Sequence, residues 1–212
     1  MPARPLSIGE VLRDARLGDL RALFEGREEY DFFGLTRRLF DLLDERQVDY
    51  VLVGGMAMLQ YVDGRNTRDI DLILAPESLE RLPEITISSR EGEFVRGDFE
   101  GVQIDFLLTS NRLFRLARDE YSGVREFAER PICCATPEGL VLLKLFALPS
   151  LYRQGDGVRA AIYEADIRAL LTAADIDTDS ILATLSAEML DTDVAELRRL
   201  VDDIRAGMKR FQ

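Results

Sequence analysis

Apolar positions change period several times along this chain, and each change marks an element. In FFGLTRRLFDLLDERQ, Leu35, Leu39, Leu42 and Leu43 recur at three- and four-residue steps, which predicts an amphipathic helix. An earlier helix is predicted from about Ile8 to Phe24, because Ser7 and Glu10 have the capping-box spacing. The pattern then becomes continuous: DYVLVGG is a short apolar strand stopped by Gly54 and Gly55, and MAMLQYV resumes as a helix after them. GRNTR is a loop, and the apolar strand IDLIL follows. PESLERLPEI reads as a helix with Pro76 in its first turn. EFVRGDFEGVQIDFLLTS reads as a hairpin, with Phe94 and Val95 on one arm, a turn near Asp98 to Gly101, and Val102 to Leu108 on the other. A helix around Asn111 to Arg118 and a short strand in RPICCA come next. Thr136, Pro137 and Glu138 then supply an N-cap, a first-turn proline and an acid suited to the helix dipole. Everything beyond is helical in pattern: Ala161 to Ala173 forms one unit, and Val194, Leu197, Leu200, Val201, Ile204 and Met208 mark the face of the last helix. The predicted fold is α/β (α+β), a small mixed sheet flanked by helices with a C-terminal helical bundle. Its expected segments are residues 1–48, 49–135 and 136–212.

Two aspartates disturb this pattern. Asp69 and Asp71 open the strand in NTRDIDLIL, and alternate residues of a strand share a face. Two like charges are thereby set beside apolar surface, where repulsion and desolvation are both unfavourable. Asp105 repeats the anomaly in GVQIDFLL, where it shares a face with Leu107 as Asp71 does with Ile73. If the two strands pair, three carboxylates converge near one end of the sheet. Divalent cations would offset their repulsion, and two magnesium ions (or manganese) bridging carboxylates and phosphates suit in-line phosphoryl or nucleotidyl transfer. Gly54 and Gly55, between a strand and a helix, let backbone N–H groups approach a phosphate closely, although a glycine pair by itself more often marks a tight turn.

Composition narrows the chemistry. There is no histidine, so no Ser-His-Asp triad, Cys-His dyad or HExxH zinc site exists. The two cysteines, Cys133 and Cys134, are adjacent, which excludes a closed zinc site and suggests buried thiols in a reducing compartment. Neither a GxGxxG fingerprint nor a P-loop is present. No apolar run approaches the roughly 20 residues of a membrane helix. A cytoplasmic protein without membrane partners is expected. The net charge of −12 argues against non-specific coating of nucleic acid.

The stretch VGGMAMLQYVDGRNTRDIDLIL resembles the signature of the DNA polymerase β-type nucleotidyltransferase superfamily: an apolar strand ending in Gly-Gly, a spacer, Asp-apolar-Asp, and a third acid on a later strand. NTRDIDL together with TPEGLVLLKLFAL and EADIRALL is more similar to the AbiEii-like branch, which includes toxins of toxin–antitoxin pairs. This resemblance implies a nucleotidyltransferase core over residues 49–135. It implies catalytic and metal-holding roles for Asp69, Asp71 and Asp105, with Asp105 completing the site and accepting the attacking hydroxyl's proton. Gly54 and Gly55 would cradle the triphosphate, and Arg65, Thr67, Lys144 and Arg153 would contact the nucleotide. On residue grounds alone, Lys144 snorkels or meets an anion; the resemblance implies that Asp166 matches an acidic residue of the family segment, while on residue grounds it caps a helix or forms a salt bridge within the bundle, and the role of Asp156 is open. The implied activity is transfer of a nucleotidyl group from a nucleoside triphosphate such as ATP to a hydroxyl on tRNA, a protein or a small molecule such as an aminoglycoside. An antitoxin partner is also implied. The alternative is a non-catalytic protein of the same fold that binds a nucleotide or a partner protein as a regulator.

Overall fold

The computed structural model describes residues 31–63, 67, 69–127 and 130–209; the helix expected from Ile8 to Phe24 lies outside them. The chain divides into two compact units between Ala135 and Thr136. In the first, helix α1 (Phe32–Glu45) precedes β1 (Tyr50–Val53), α2 (Gly54–Met58) and β2 (Ile70–Leu74). A 3-10 helix (Pro76–Arg81), the strands β3 (Thr86–Glu91), β4 (Phe94–Phe99) and β5 (Val102–Leu108), helix α3 (Arg112–Glu120), and the strands β6 (Ser122–Phe127) and β7 (Arg130–Ala135) complete it. The strands form one mixed sheet in the order β3-β4-β5-β2-β1-β7-β6. β2 runs parallel to β5 and β1 parallel to β7, and the other neighbours are antiparallel.

Alternation decides which face is core. Val102, Ile104, Phe106 and Leu108 of β5 are buried, while Gln103, Asp105 and Leu107 are half-buried. In β2, Ile70, Leu72 and Leu74 are buried, and so is Ile73 on the face of the half-buried Asp71. The predicted α1 forms with Leu35, Leu39, Phe40 and Leu43 inward, and Asp31 caps it by accepting from the Gly34 N–H at 3.0 Å. Phe40 stacks on Tyr50 at 5.5 Å between centroids and meets Phe127 edge-on at 5.2 Å, which fixes α1 to β1 and β6.

The sheet is wider than the pattern predicts, because β3 and β6 carry no strand pattern in the sequence. All six residues of β3 are exposed and β6 buries only Phe127, so neither edge carries a two-residue apolar alternation. PESLER forms a 3-10 helix instead of an α-helix: Pro83 disfavours the α basin for Leu82, which sits at φ −119°, ψ 58° and ends the segment. Only Cys134 is in the core, and burial pushes its thiol up to about 12. Neighbouring residues of a strand face opposite ways, so Cys133 is half-buried.

The second unit contains α4 (Pro137–Arg153), α5 (Gly157–Ala173), α6 (Thr178–Ser186) and α7 (Asp191–Lys209). Thr136 caps α4 as its sequence suggests, accepting from the Gly139 N–H at 3.3 Å. Leu197, Val201 and Ile204 form the buried stripe of α7. No helix among the described residues is long and apolar enough to cross a membrane. Helix α4 is apolar nearly all round, and Lys144 is buried in it. Lys144 Nζ donates to Asp166 Oδ2 of α5 at 2.8 Å and lies 4.3 Å from the Tyr163 ring centroid. Both members are buried, so removing one takes away a compensation that the other's interior charge needs. Lys144→Met should cost roughly 3–5 kcal/mol of stability in urea unfolding, and adding Asp166→Leu should restore most of it.

Candidate active site

Register assembles the charged residues into one row. The turn between β4 and β5 has positive φ at Glu100 (53°) and Gly101 (87°), the requirement of a tight two-residue hairpin. It fixes Phe99 opposite Val102, and three steps back on each arm Arg96 lies opposite Asp105. On the other side of β5, Asp105 pairs in register with Asp71 of β2, and Asp71 in turn lies opposite Val53 of β1. In-register neighbours share a face, so Arg96, Asp105 and Asp71 project together from three adjacent strands. Asp69 lies one residue ahead of β2 and is exposed, outside the strand that its sequence suggests.

At the roughly 4.8 Å spacing of strands, two carboxylates in an effective dielectric of about 20 repel by roughly 3 kcal/mol. Arg96 offsets that repulsion. Its Nε donates to Asp105 Oδ1 at 2.7 Å and its Nη2 to Oδ2 at 3.0 Å, a bidentate fork. Gln103 Nε2 donates to the same Oδ2 at 3.1 Å. The hydrogen bond to Asp105 is the main cause that raises the Arg96 pKa above its ordinary value, and the charges of Asp105, Asp69 and Asp71 add to it. The guanidinium therefore senses all three acids. Arg96 is hard to single out in the sequence because its partner lies across the hairpin, nine residues on, although counting residues outward from the EG turn finds it; Gln103, two residues from Asp105 on the same face of β5, is legible from strand alternation alone.

Gly54 shapes the next position in the row. It sits at φ +65°, where side chains are disfavoured, and a Cβ added there would come within 1.9 Å of Asp71 Oδ2. The Asp71 carboxylate thus lies against the backbone where β1 ends and α2 begins. Gly55 is buried in the first turn of that helix.

Oxygen donors from Asp69, Asp71 and Asp105 have the hardness that magnesium prefers. Among the described residues, however, no group of three or more His, Cys, Asp or Glu could hold a metal ion as it stands. Both Asp105 oxygens already accept from Arg96 and Gln103, so the chemistry of these donors suits a hard cation while one of the three carboxylates is engaged by side chains.

The remaining candidates have contacts of their own. Thr67 donates from Oγ1 to the Asp69 carbonyl at 3.2 Å, and so steadies the approach to β2. Arg65 lies outside the described residues. In the helical unit, Lys144 is paired with Asp166, the within-bundle alternative for that acid. Arg153 contacts both carboxylate oxygens of Asp193 at 3.1 Å. Asp156 caps α5 by accepting from the Arg159 N–H at 3.0 Å.

No family model matches the sequence, and no curated protein does. Solved structures do. The solution structure of the antibiotic-resistance factor ANT(2'')-Ia is 16% identical with a TM-score of 0.53, and the match covers 84% of this chain and 95% of that one. ANT(2'')-Ia in complex with adenylyl-2''-tobramycin is 13% identical with a TM-score of 0.52, over 79% of this chain and 97% of that one. An antigenic nucleotidyltransferase-like protein from Paracoccidioides brasiliensis is 15% identical with a TM-score of 0.50, over 80% and 93%. At these identities the likeness establishes the architecture: a mixed seven-stranded sheet with flanking helices, of the nucleotidyltransferase-like fold.

Proposed function

We propose that this chain is a divalent-metal-dependent nucleotidyltransferase that moves a nucleotidyl group from a nucleoside triphosphate to an acceptor hydroxyl. The observation that carries the reading is the register of β2 on β5, which sets Asp71 beside Asp105 at the edge of a glycine-lined strand-to-helix turn. A regulator that never handled phosphate would have little use for two adjacent carboxylates. In the reaction the acceptor oxygen attacks the α-phosphorus, the bond from that phosphorus to the bridging oxygen breaks, and pyrophosphate leaves. Magnesium held by Asp69, Asp71 and Asp105 would supply charge neutralisation on the phosphates and lower the pKa of the nucleophile. Asp105 takes the proton of the acceptor hydroxyl. The backbone of Gly54 and Gly55, where α2 begins, would cradle the phosphates, and Gly54 leaves room for Asp71 to stand against it.

For the acceptor, the net charge of −12 favours a small cationic polyhydroxylated compound over RNA. The adenylyl-2''-tobramycin bound to a protein of the same fold lends support to that class. ATP as donor, a toxin role on tRNA or protein, and an antitoxin partner rest on the sequence resemblance. A second reading, the non-catalytic binder, is favoured by one observation: Arg96 already neutralises Asp105 without a metal.

Incubation with α-labelled triphosphates, magnesium and a panel of aminoglycosides or RNA separates the two readings. Label is expected on an acceptor, and Asp69→Asn with Asp71→Asn should reduce transfer at least roughly a hundredfold. Retained transfer in that variant defeats the residue assignment, and no transfer to any acceptor favours the binder. Gly54→Ala should reduce both transfer and stability, because it combines an unfavourable φ with a collision on Asp71. Gly92→Ala, with φ +59° and open space around it, is the control for backbone strain alone, and should lose stability without losing transfer. Equal loss of transfer in the two variants would show that the contact with Asp71 is immaterial.

A further inference from the structure

We propose that Arg96 is an internal cation of the acidic row, holding Asp105 while no metal is bound and releasing at least one of its oxygens when a divalent ion enters. The proposal rests on the metal-dependent reading above and adds a regulatory element to that site. Three observations support it.

First, the contact is bidentate and engages both oxygens of Asp105. Nε and Nη2 reach separate oxygens of Asp105, at 2.7 and 3.0 Å, so neither oxygen can turn fully toward Asp71 without breaking a bond to the fork. Second, the pair is built to open. The Arg96 side chain is 42% exposed and that of Asp105 25%, so water can solvate the guanidinium once it leaves. The buried Lys144–Asp166 pair, with both side chains 6% exposed, has no such freedom. Third, Gln103 holds Asp105 Oδ2 at 3.1 Å independently of the arginine, which keeps the carboxylate in place during an exchange of cations.

A guanidinium and a divalent ion thus compete for one carboxylate. The arginine carries a single charge on a side chain that loses rotamer freedom when fixed, whereas the ion gathers several acids at once. Two consequences follow. The metal-free chain tolerates its clustered acids, and metal affinity is set below what the bare carboxylates would give. The occupied state would be favoured only when a nucleotide brings further phosphate oxygens to the ion.

Binding of Mn²⁺ is measured by the electron paramagnetic resonance signal of the free ion, with thermal unfolding in EDTA and in saturating Mn²⁺ alongside. The wild-type chain is expected to bind Mn²⁺ in a manner lost in Asp105→Asn. Arg96→Met keeps the apolar stem and removes the charge; it should bind Mn²⁺ roughly tenfold tighter. It should also unfold at a lower temperature than wild type in EDTA, with that difference disappearing in Mn²⁺. Arg96→Lys, a point charge without the fork, should fall between the two and serves if Arg96→Met does not fold. Asp105-dependent binding that is equal or weaker in the Arg96 variants overturns the competition and leaves the metal-dependent reading intact. Absence of Mn²⁺ binding in wild type and variants alike overturns both.

Discussion

The parallel register of β2 on β5 is the constraint on which the candidate site depends. It sets Asp71 beside Asp105 at strand spacing, on a half-buried face whose neighbours include the fully buried Ile73. A sheet cannot relieve that repulsion by a small shift, since a one-residue slip would turn either Ile70 and Leu72 of β2 or Ile104 and Phe106 of β5 out of the core. The hydrophobic pattern therefore holds the carboxylates together, and compensation must come from a cation. Among the described residues, Arg96, on the hairpin that delivers Asp105, is such a cation.

The same economy of geometry serves the opposite side of Asp71. The antiparallel pairing of Val53 with Asp71 brings the end of β1 against the carboxylate, and only glycine fits at the next residue. Strand, turn and helix are continuous there, without an intervening loop, so the first backbone amides of α2 lie beside the acids. Two of the ion pairs, one buried and one half-exposed, behave differently. Lys144 and Asp166 lie in the interior of the helical unit and hold it together, whereas Arg96 and Asp105 lie at a surface where partners can be exchanged.

How much of this is legible in the sequence follows from burial. The central strands β1, β2 and β5 are legible because their apolar residues are either continuous or strictly alternate. The edges are not: TISSRE exposes every residue and SGVREF buries only Phe127, so tertiary pairing alone makes them strands. Among the site residues, Gly54, Asp71 and Asp105 are legible because each violates the local pattern, a glycine ending a strand or an acid inside one. Arg96 violates nothing, since an arginine in a hairpin is ordinary, and its meaning lies in its cross-strand partner. Lys144 shows the converse. Its apolar helix face signals a constrained charge, yet only the structure identifies Asp166 and Tyr163 as the groups that constrain it.

The central claim is that the acids projecting from β2 and β5 form one cation site that Arg96 fills when no metal is present. Crystals grown without metal and then soaked in Mn²⁺, with anomalous differences recorded for the ion, test it most directly. The account expects a manganese peak within coordination distance of both Asp71 and Asp105, with the Arg96 guanidinium withdrawn from at least one Asp105 oxygen. A chain that takes up no manganese at this row, with Arg96 still bound to both oxygens of Asp105, would contradict it.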